Sequence, residues 1–371
     1  MKIANFGTEE WLNKWETLAI FDISQSSISP MTMNEALSLD GEDGEDFYKI
    51  LNQKKMSYGW IEGSPDFKQE VSKLYKDIDP DNILQTNGAA GANHLALYAL
   101  IEPGDHIISE YPSYQQLYDI PRGAHVDYWH IHENQNWYPD IDELKSLMRP
   151  DTKMICLNNA NNPTGTLLDK TFLKQVVELA KQSDAYVLVD EVYLPLIHSE
   201  NFVSIVDLYD KGIATNSLSK TYSMPGIRVG WTASNAAVTD LFRKYRDYTM
   251  ICCGVFNDAM AVYTLKHRDQ ILNRNRKLVL NNLKIYKNWV ASEPRISVVM
   301  PQAVPTSFPK LNIPIENTKT FCIRLLKEKG VLLVPGTCFN MPGHVRLGYC
   351  TDESTLKEGL KRLSAFMRQY D

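Results

Sequence analysis

Lys220 lies in the run N-S-L-S-K-T-Y-S-M-P-G-I-R-V-G (residues 216–230), with Ser217 and Ser219 before it and Arg228 eight positions on. A lysine in such a turn is ordinarily a solvated charge. Three other stretches change that expectation. N-N-P-T-G carries Asn162, D-E-V-Y carries Asp190 and Tyr193, and T-N-G-A-A-G-A carries Gly88, Ala89 and Ala90. Together they offer an amine, a carboxylate, an amide with a phenol, and a glycine-opened helix start with an arginine to face it.

One chemical need unites that set. Pyridoxal phosphate requires an amine that condenses with its aldehyde, an anion facing its ring nitrogen, donors for its phenolic oxygen and a cradle for its phosphate. Lys220 can supply the amine and Asp190 the anion, while Asn162 and Tyr193 can bond the phenolic oxygen. Unpaired amides at a helix N-terminus favour an anion. Gly88 lets the backbone approach closely, and Ser217 with the bidentate guanidinium of Arg228 can complete the shell.

Such residues need strand ends to hold them. Apolar runs at 106–109, 125–130, 153–157, 186–189 and 212–216 read as strands, with helices near 91–100 and 170–182, the latter capped by Asp169. Strand, helix, strand at this spacing predicts a parallel α/β layer, in which ligand groups collect beyond the strands' carboxyl ends. The C-terminal third differs. A long helical stretch at 257–291, R-I-S-V-V-M, a Pro-rich connection at 301–314, a helix near 317–329, strands at 331–334 and 344–349 and a final helix predict a smaller α+β unit.

The motifs S-L-S-K-T-Y-S-M-P-G-I-R-V-G-W, N-N-P-T-G, D-E-V-Y, and P-G-D followed by Y-P-S-Y resemble the class I/II aminotransferases of the pyridoxal-phosphate fold type I superfamily. The resemblance implies a large domain with a mostly parallel sheet (41–275) and a small domain built from both termini (1–40 and 276–371). It implies amino transfer between an amino acid and a 2-oxo acid, with Lys220, Asp190 and Tyr193 catalytic. It places Tyr114 on the cofactor ring, Ser219 with Ser217 and Arg228 near the phosphate, and Arg346 (in H-V-R-L-G-Y) with Asn162 on the substrate carboxylate. Tyr58 is similar to a tyrosine that reaches the phosphate of a neighbouring subunit, which implies a homodimer with shared sites.

Two stretches depart from the family pattern. D-I-S-Q-S-S-I-S-P puts Ser26 and Ser27 where Gly and Pro are usual, so Ser27 is the expected substrate contact there. Ala89 and Ala90 replace a hydroxyl or lysine, so backbone amides must do more. D-I-S-Q-S-S-I-S-P and R-D-Y-T (246–249) are closer to the capreomycidine-synthase type, which implies an alternative: β-elimination or replacement with cyclisation of an arginine derivative.

Composition narrows the setting. The 371 residues are 44% hydrophobic with net charge -6, which argues against a nucleic-acid footprint. No run approaches the roughly 18 apolar residues of a membrane span, and the first ten residues lack a signal peptide's apolar core. Six cysteines without C-x-x-C spacing fit a reduced, cytoplasmic setting. His130 and His132 lack a third ligand at useful spacing, and the acidic run at 40–46 lacks the ligand pattern of a calcium loop, so no metal is expected. N-G-A-A-G-A lacks the G-x-G-x-x-G spacing of a dinucleotide site.

Overall fold

The computed structural model describes residues 4–371 apart from 40, 42, 43, 122, 195, 197, 198 and 303, so part of the acidic run lies outside the described residues. Seven strands form the central sheet, in the spatial order Ile83–Thr86, Gly230–Ala233, Gly212–Ser217, Tyr186–Asp190, Thr152–Asn158, His106–Tyr111, His125–His130. The last five are the strands expected from sequence, each at most two residues longer than its apolar run, and they pair in parallel. Gly230–Ala233 runs antiparallel to both neighbours. The sheet is thus mostly parallel, with helices on its faces, as near-continuous buried apolar strands demand.

Local chemistry sets the helix ends. Asp169 caps Lys170–Gln182, its carboxylate accepting from the Phe172 amide at 2.9 Å. Gly88–Leu100 begins without a side-chain cap, which leaves its first amides free to meet a ligand.

A second core joins both ends of the chain. Phe21–Asp22 pairs in parallel with Val331–Leu332, and Val345–Gly348 pairs antiparallel with Thr306–Ser307 and Val334–Pro335. Trp11, Ile23, Phe308, Phe321, Leu347 and Phe366 pack together there. The run at 331–334, expected as one strand, divides at Leu333 because its two halves pair with different neighbours. The expected helix at 257–291 also divides, at His267, into Val255–Lys266 and Arg268–Ser292. The latter carries Ile271 in the sheet's core and Val279, Leu283 and Tyr286 in the second core. Among the described residues no helix is long and apolar enough to cross a membrane.

Candidate active site

Parallel register aligns Asn158 with Asp190 and Asp190 with Thr215, so the loops after three adjacent strands leave from one edge. They open on a cavity of about 540 Å³ between the two cores. Its wall includes Ala89, Ala90, Tyr114, Asn158, Asn162, Asp190, Tyr193, Ser217, Ser219, Lys220, Arg228 and Arg346.

Asp190 forms the floor, 1% exposed. Asn93 donates to its Oδ2 at 2.8 Å, and Thr215 Oγ1 donates to Asn93 Oδ1 at 2.6 Å, fixing the amide. Asn93 was not expected from sequence, where it reads as one more residue of a helix. The neighbouring Glu191 turns away, accepting from Ser204 Oγ and the Ile205 amide, both at 2.9 Å. Burial pushes the Asp190 carboxyl up to about 6, against the opposing bonds from Asn93 and the Val192 amide and the charge of Lys220.

That shift has a testable sign. An acid whose folded pKa exceeds its unfolded value binds its proton more tightly when folded, so its contribution is present below pH 4 and lost as pH rises through 6. In the cofactor-free protein this loss amounts to about 3 kcal/mol. Glu110, pushed up to about 7, and Glu191, to about 8, act in the same sense. The difference between wild type and Asp190→Asn isolates the residue. In urea denaturation at pH 4.5 and 7, wild type is expected to lose more stability than the variant, and equal losses would contradict the assignment.

Lys220 Nζ donates to Ser26 Oγ at 3.1 Å, and the same hydroxyl interacts with the buried Tyr193 phenol. Burial, then the charge of Arg346, lower the lysine's pKa, favouring its neutral amine. Tyr114 stands half-buried on the wall, its ring 5.2 Å from that of Phe6.

The opposite end suits an anion. Arg228 Nη1 reaches Ser219 Oγ at 3.5 Å and Nη2 the Asn87 carbonyl at 3.4 Å, beside the uncapped helix start. Arg228 sits at φ 53°, a left-handed conformation costing roughly 1–2 kcal/mol outside glycine. Gly230 passes so near the helix start that an added Cβ would lie 2.6 Å from the Asn216 carbonyl oxygen and 2.7 Å from the Ala89 nitrogen. Gly230→Ala is expected to cost about 1–3 kcal/mol, read as a lower Tm of the cofactor-free protein, together with weaker cofactor retention on dialysis. Wild-type Tm and retention would contradict the packing.

Arg346, 2% exposed, lies on the strand Val345–Gly348. Its Nη2 donates to the Ser24 carbonyl at 3.0 Å and its Nη1 to Asn162 Oδ1 at 3.3 Å, while Nε has no partner. No carboxylate pairs with it among the described residues. A buried guanidinium with an unmet donor on a cavity wall fits an incoming carboxylate. Gly348 lets the N-terminal loop close over this strand. Its amide donates to the Ile23 carbonyl at 2.8 Å, and any Cβ would collide with the Gln25 carbonyl oxygen.

Three expected residues stand off this chain's cavity wall. Ser26, 4% exposed, lines the cavity, whereas the half-buried Ser27 does not, its carbonyl accepting from Cys350 Sγ at 3.2 Å. Tyr58 is 69% exposed and away from this chain's cavity. Gly88 lies behind the wall at φ 72°, where an added Cβ would sit 2.5 Å from Arg228 Nη2. The other predicted residues are brought together.

The residues present fit pyridoxal phosphate: a partly buried amine, a buried carboxylate beyond it, and an anion cradle narrowed by two glycines. Comparison with known proteins gives concordant findings. Residues 42–363 match the model of the family described as aminotransferase class I and II. An aspartate aminotransferase of Thermotoga maritima is 31% identical over 338 residues, covering 87% of this chain and 86% of that protein. The capreomycidine synthase of Streptomyces vinaceus is 26% identical, covering 96% and 92%. The crystal structure of a PLP-dependent aminotransferase from Streptococcus suis 89-1591 superposes with a TM-score of 0.97 at 54% identity, covering 100% of this chain and 99% of that one.

Proposed function

Because the chain belongs to the class I and II aminotransferase family, we propose that Lys220 is its catalytic lysine and that the cavity around it transfers an amino group between an amino acid and a 2-oxo acid. The protein is a pyridoxal-phosphate-dependent transferase of fold type I. The observation that carries the residue assignment is the convergence of Lys220, Asp190, Arg228 and Arg346 on one cavity.

When bound, pyridoxal phosphate supplies an aldehyde for amines and a protonated ring that takes up the electron pair released at the substrate's α-carbon. The chain does the rest. Arg228, Ser217, Ser219 and the amides of Ala89 and Ala90 grip the phosphate. Asp190 would hold a proton on the ring nitrogen, and that cation would in turn favour the ionised carboxylate despite its burial. Asn162 and Tyr193 donate to the phenolic oxygen, and Tyr114 packs on the ring. Arg346 fixes the substrate carboxylate, which orients the α-hydrogen toward Lys220. The Lys220 Nζ, whose proton affinity burial and Arg346 lower, is placed to take that proton as general base.

We assign the large domain to 41–275 and the small domain to 1–40 with 276–371, a reading supported by the two cores. Exposed Met56, Tyr58, Trp60 and Ile61 support a homodimer in which Tyr58 reaches the partner's site. Six free thiols fit a cytoplasmic setting.

The test is isotopic: holoenzyme, a set of 15N-labelled amino acids and 2-oxo acids, with label followed into a new amino acid. A second reading, loss of a β-substituent with cyclisation, is favoured by one observation: a PLP-dependent cyclase, OrfR, superposes with a TM-score of 0.91 at 25% identity. Amino transfer predicts label in a new amino acid. Label kept in the donor's own carbon skeleton, or released as ammonia, would contradict it and support the second reading.

A further inference from the structure

We propose that the cavity takes an amino acid whose side chain carries a positive charge, and that Glu9, with Glu16 beyond it, selects that charge. The inference rests on the reading of Arg346 as partner of the α-carboxylate. The distribution of charged side chains on the wall decides the polarity. Lys220, Asp190 and Tyr193 are taken up by cofactor chemistry, Arg228 by the phosphate and Arg346 by the carboxylate. Among the described residues, the cavity's remaining charged groups are Glu9 and Glu16, with no further cation on the wall.

Both glutamates come from one helical face. Gly7–Trp15 is an α-helix continued by the turn Glu16–Leu18, and positions 9, 12 and 16 recur at helical spacing. Trp11 anchors that helix, its Nε1 donating to the Leu333 carbonyl at 2.9 Å. Neither glutamate has a salt-bridge partner among the described residues. Glu16 Oε1 accepts from Gln25 Nε2 at 2.8 Å, and Gln25 also lines the cavity. The charge of Glu9 reaches the reacting end: it raises the proton affinity of Lys220, opposing burial and Arg346, and adds to the effect of burial in raising that of Tyr114.

A second, independent observation fixes the polarity of the site. Arg346 is buried on the same wall with Nε unpartnered. A substrate carboxylate at Arg346 and its amine at Lys220 leave the side chain facing the rest of the wall, whose charge is negative. A dicarboxylic substrate would set its distal carboxylate against two others, an arrangement that suppresses the wrong ligand. An ammonium or guanidinium there would meet carboxylates that have no salt-bridge partner among the described residues.

The test uses the holoenzyme with L-arginine, L-lysine, L-citrulline and L-aspartate, following the bound cofactor's visible spectrum for affinity and single-turnover rate. L-citrulline matches L-arginine in shape but lacks its charge. Wild type is expected to favour L-arginine or L-lysine over L-citrulline by at least roughly tenfold in kcat/KM, with L-aspartate poorest. Glu9→Gln is expected to lower the arginine-to-citrulline ratio about tenfold in both affinity and kcat/KM, and Glu9→Asp to restore part of it. Preference for L-aspartate, or a ratio unchanged by Glu9→Gln, would overturn the inference while leaving the amino-transfer reading intact. A spectrum that no amino acid alters would instead overturn that reading, and this inference with it.

Discussion

Lys220→Ala is expected to abolish covalent retention of the cofactor and to lower kcat by at least about 10⁴-fold. Two losses combine in that figure. Without the amine at position 220, cofactor is held only by the phosphate shell, Asp190 and the ring contacts. Without the base, the α-proton has no acceptor at its position, and a positioned general base alone contributes roughly 10²–10⁴-fold. Ser26, whose hydroxyl accepts from Nζ at 3.1 Å, cannot replace it, because a hydroxyl is a far weaker base. The readouts are the visible spectrum of the reconstituted variant and its single-turnover rate. Partial recovery of rate by added small alkylamines would show that the missing amine, and not a disturbed fold, causes the loss. Wild-type covalent retention in the variant would place the reactive lysine elsewhere.

Arg346→Ala is expected to cost roughly 2–5 kcal/mol in kcat/KM, about 30- to 4000-fold, because a buried charge partner of the substrate carboxylate is removed. The loss should fall on amino acids and 2-oxo acids alike, since both carry the α-carboxylate. It should fall chiefly on substrate, since the guanidinium touches neither Asp190 nor Arg228 and meets the cofactor's residues only through the 3.3 Å bond to Asn162. The discriminating readout is therefore a pair of measurements: cofactor affinity by dialysis and substrate affinity by spectral titration. Loss of cofactor with unchanged substrate affinity would contradict the role. A secondary effect follows on Lys220, whose pKa Arg346 helps to lower, so the pH profile of the variant should shift upward.

The chemistry was more legible in the sequence than the contacts that tune it. Lys220, Asp190 and Asn162 stand just past runs of apolar residues, and a run that ends in a polar residue marks a strand's carboxyl edge without knowledge of its neighbours. The helix Lys170–Gln182 was equally plain, because Asp169 and its apolar spacing are both local signals. The strands Ile83–Thr86 and Gly230–Ala233 escaped notice: each is four residues long, fully buried, without alternation, and made a strand by its partners.

Other misses have the same cause. Asn93 lies within an apolar helix, and only the packing of that helix on the sheet reveals that its amide meets Asp190. Ser26 and Ser27 are chemically identical neighbours, and which one faces the cavity depends on the path the loop takes over Gly348. Glu9 lies more than 200 residues from Lys220 in sequence, on a helix brought to the cavity by Trp11 and the second core. Local pattern shows what a segment becomes, whereas charge selection at a site belongs to contacts distant along the chain.

Borohydride reduction of the holoenzyme, followed by proteolysis and mass mapping, tests the central claim most directly. The cofactor's added mass is expected on one peptide, the one containing Lys220. Added mass on a different lysine, or none retained after denaturation, would contradict it.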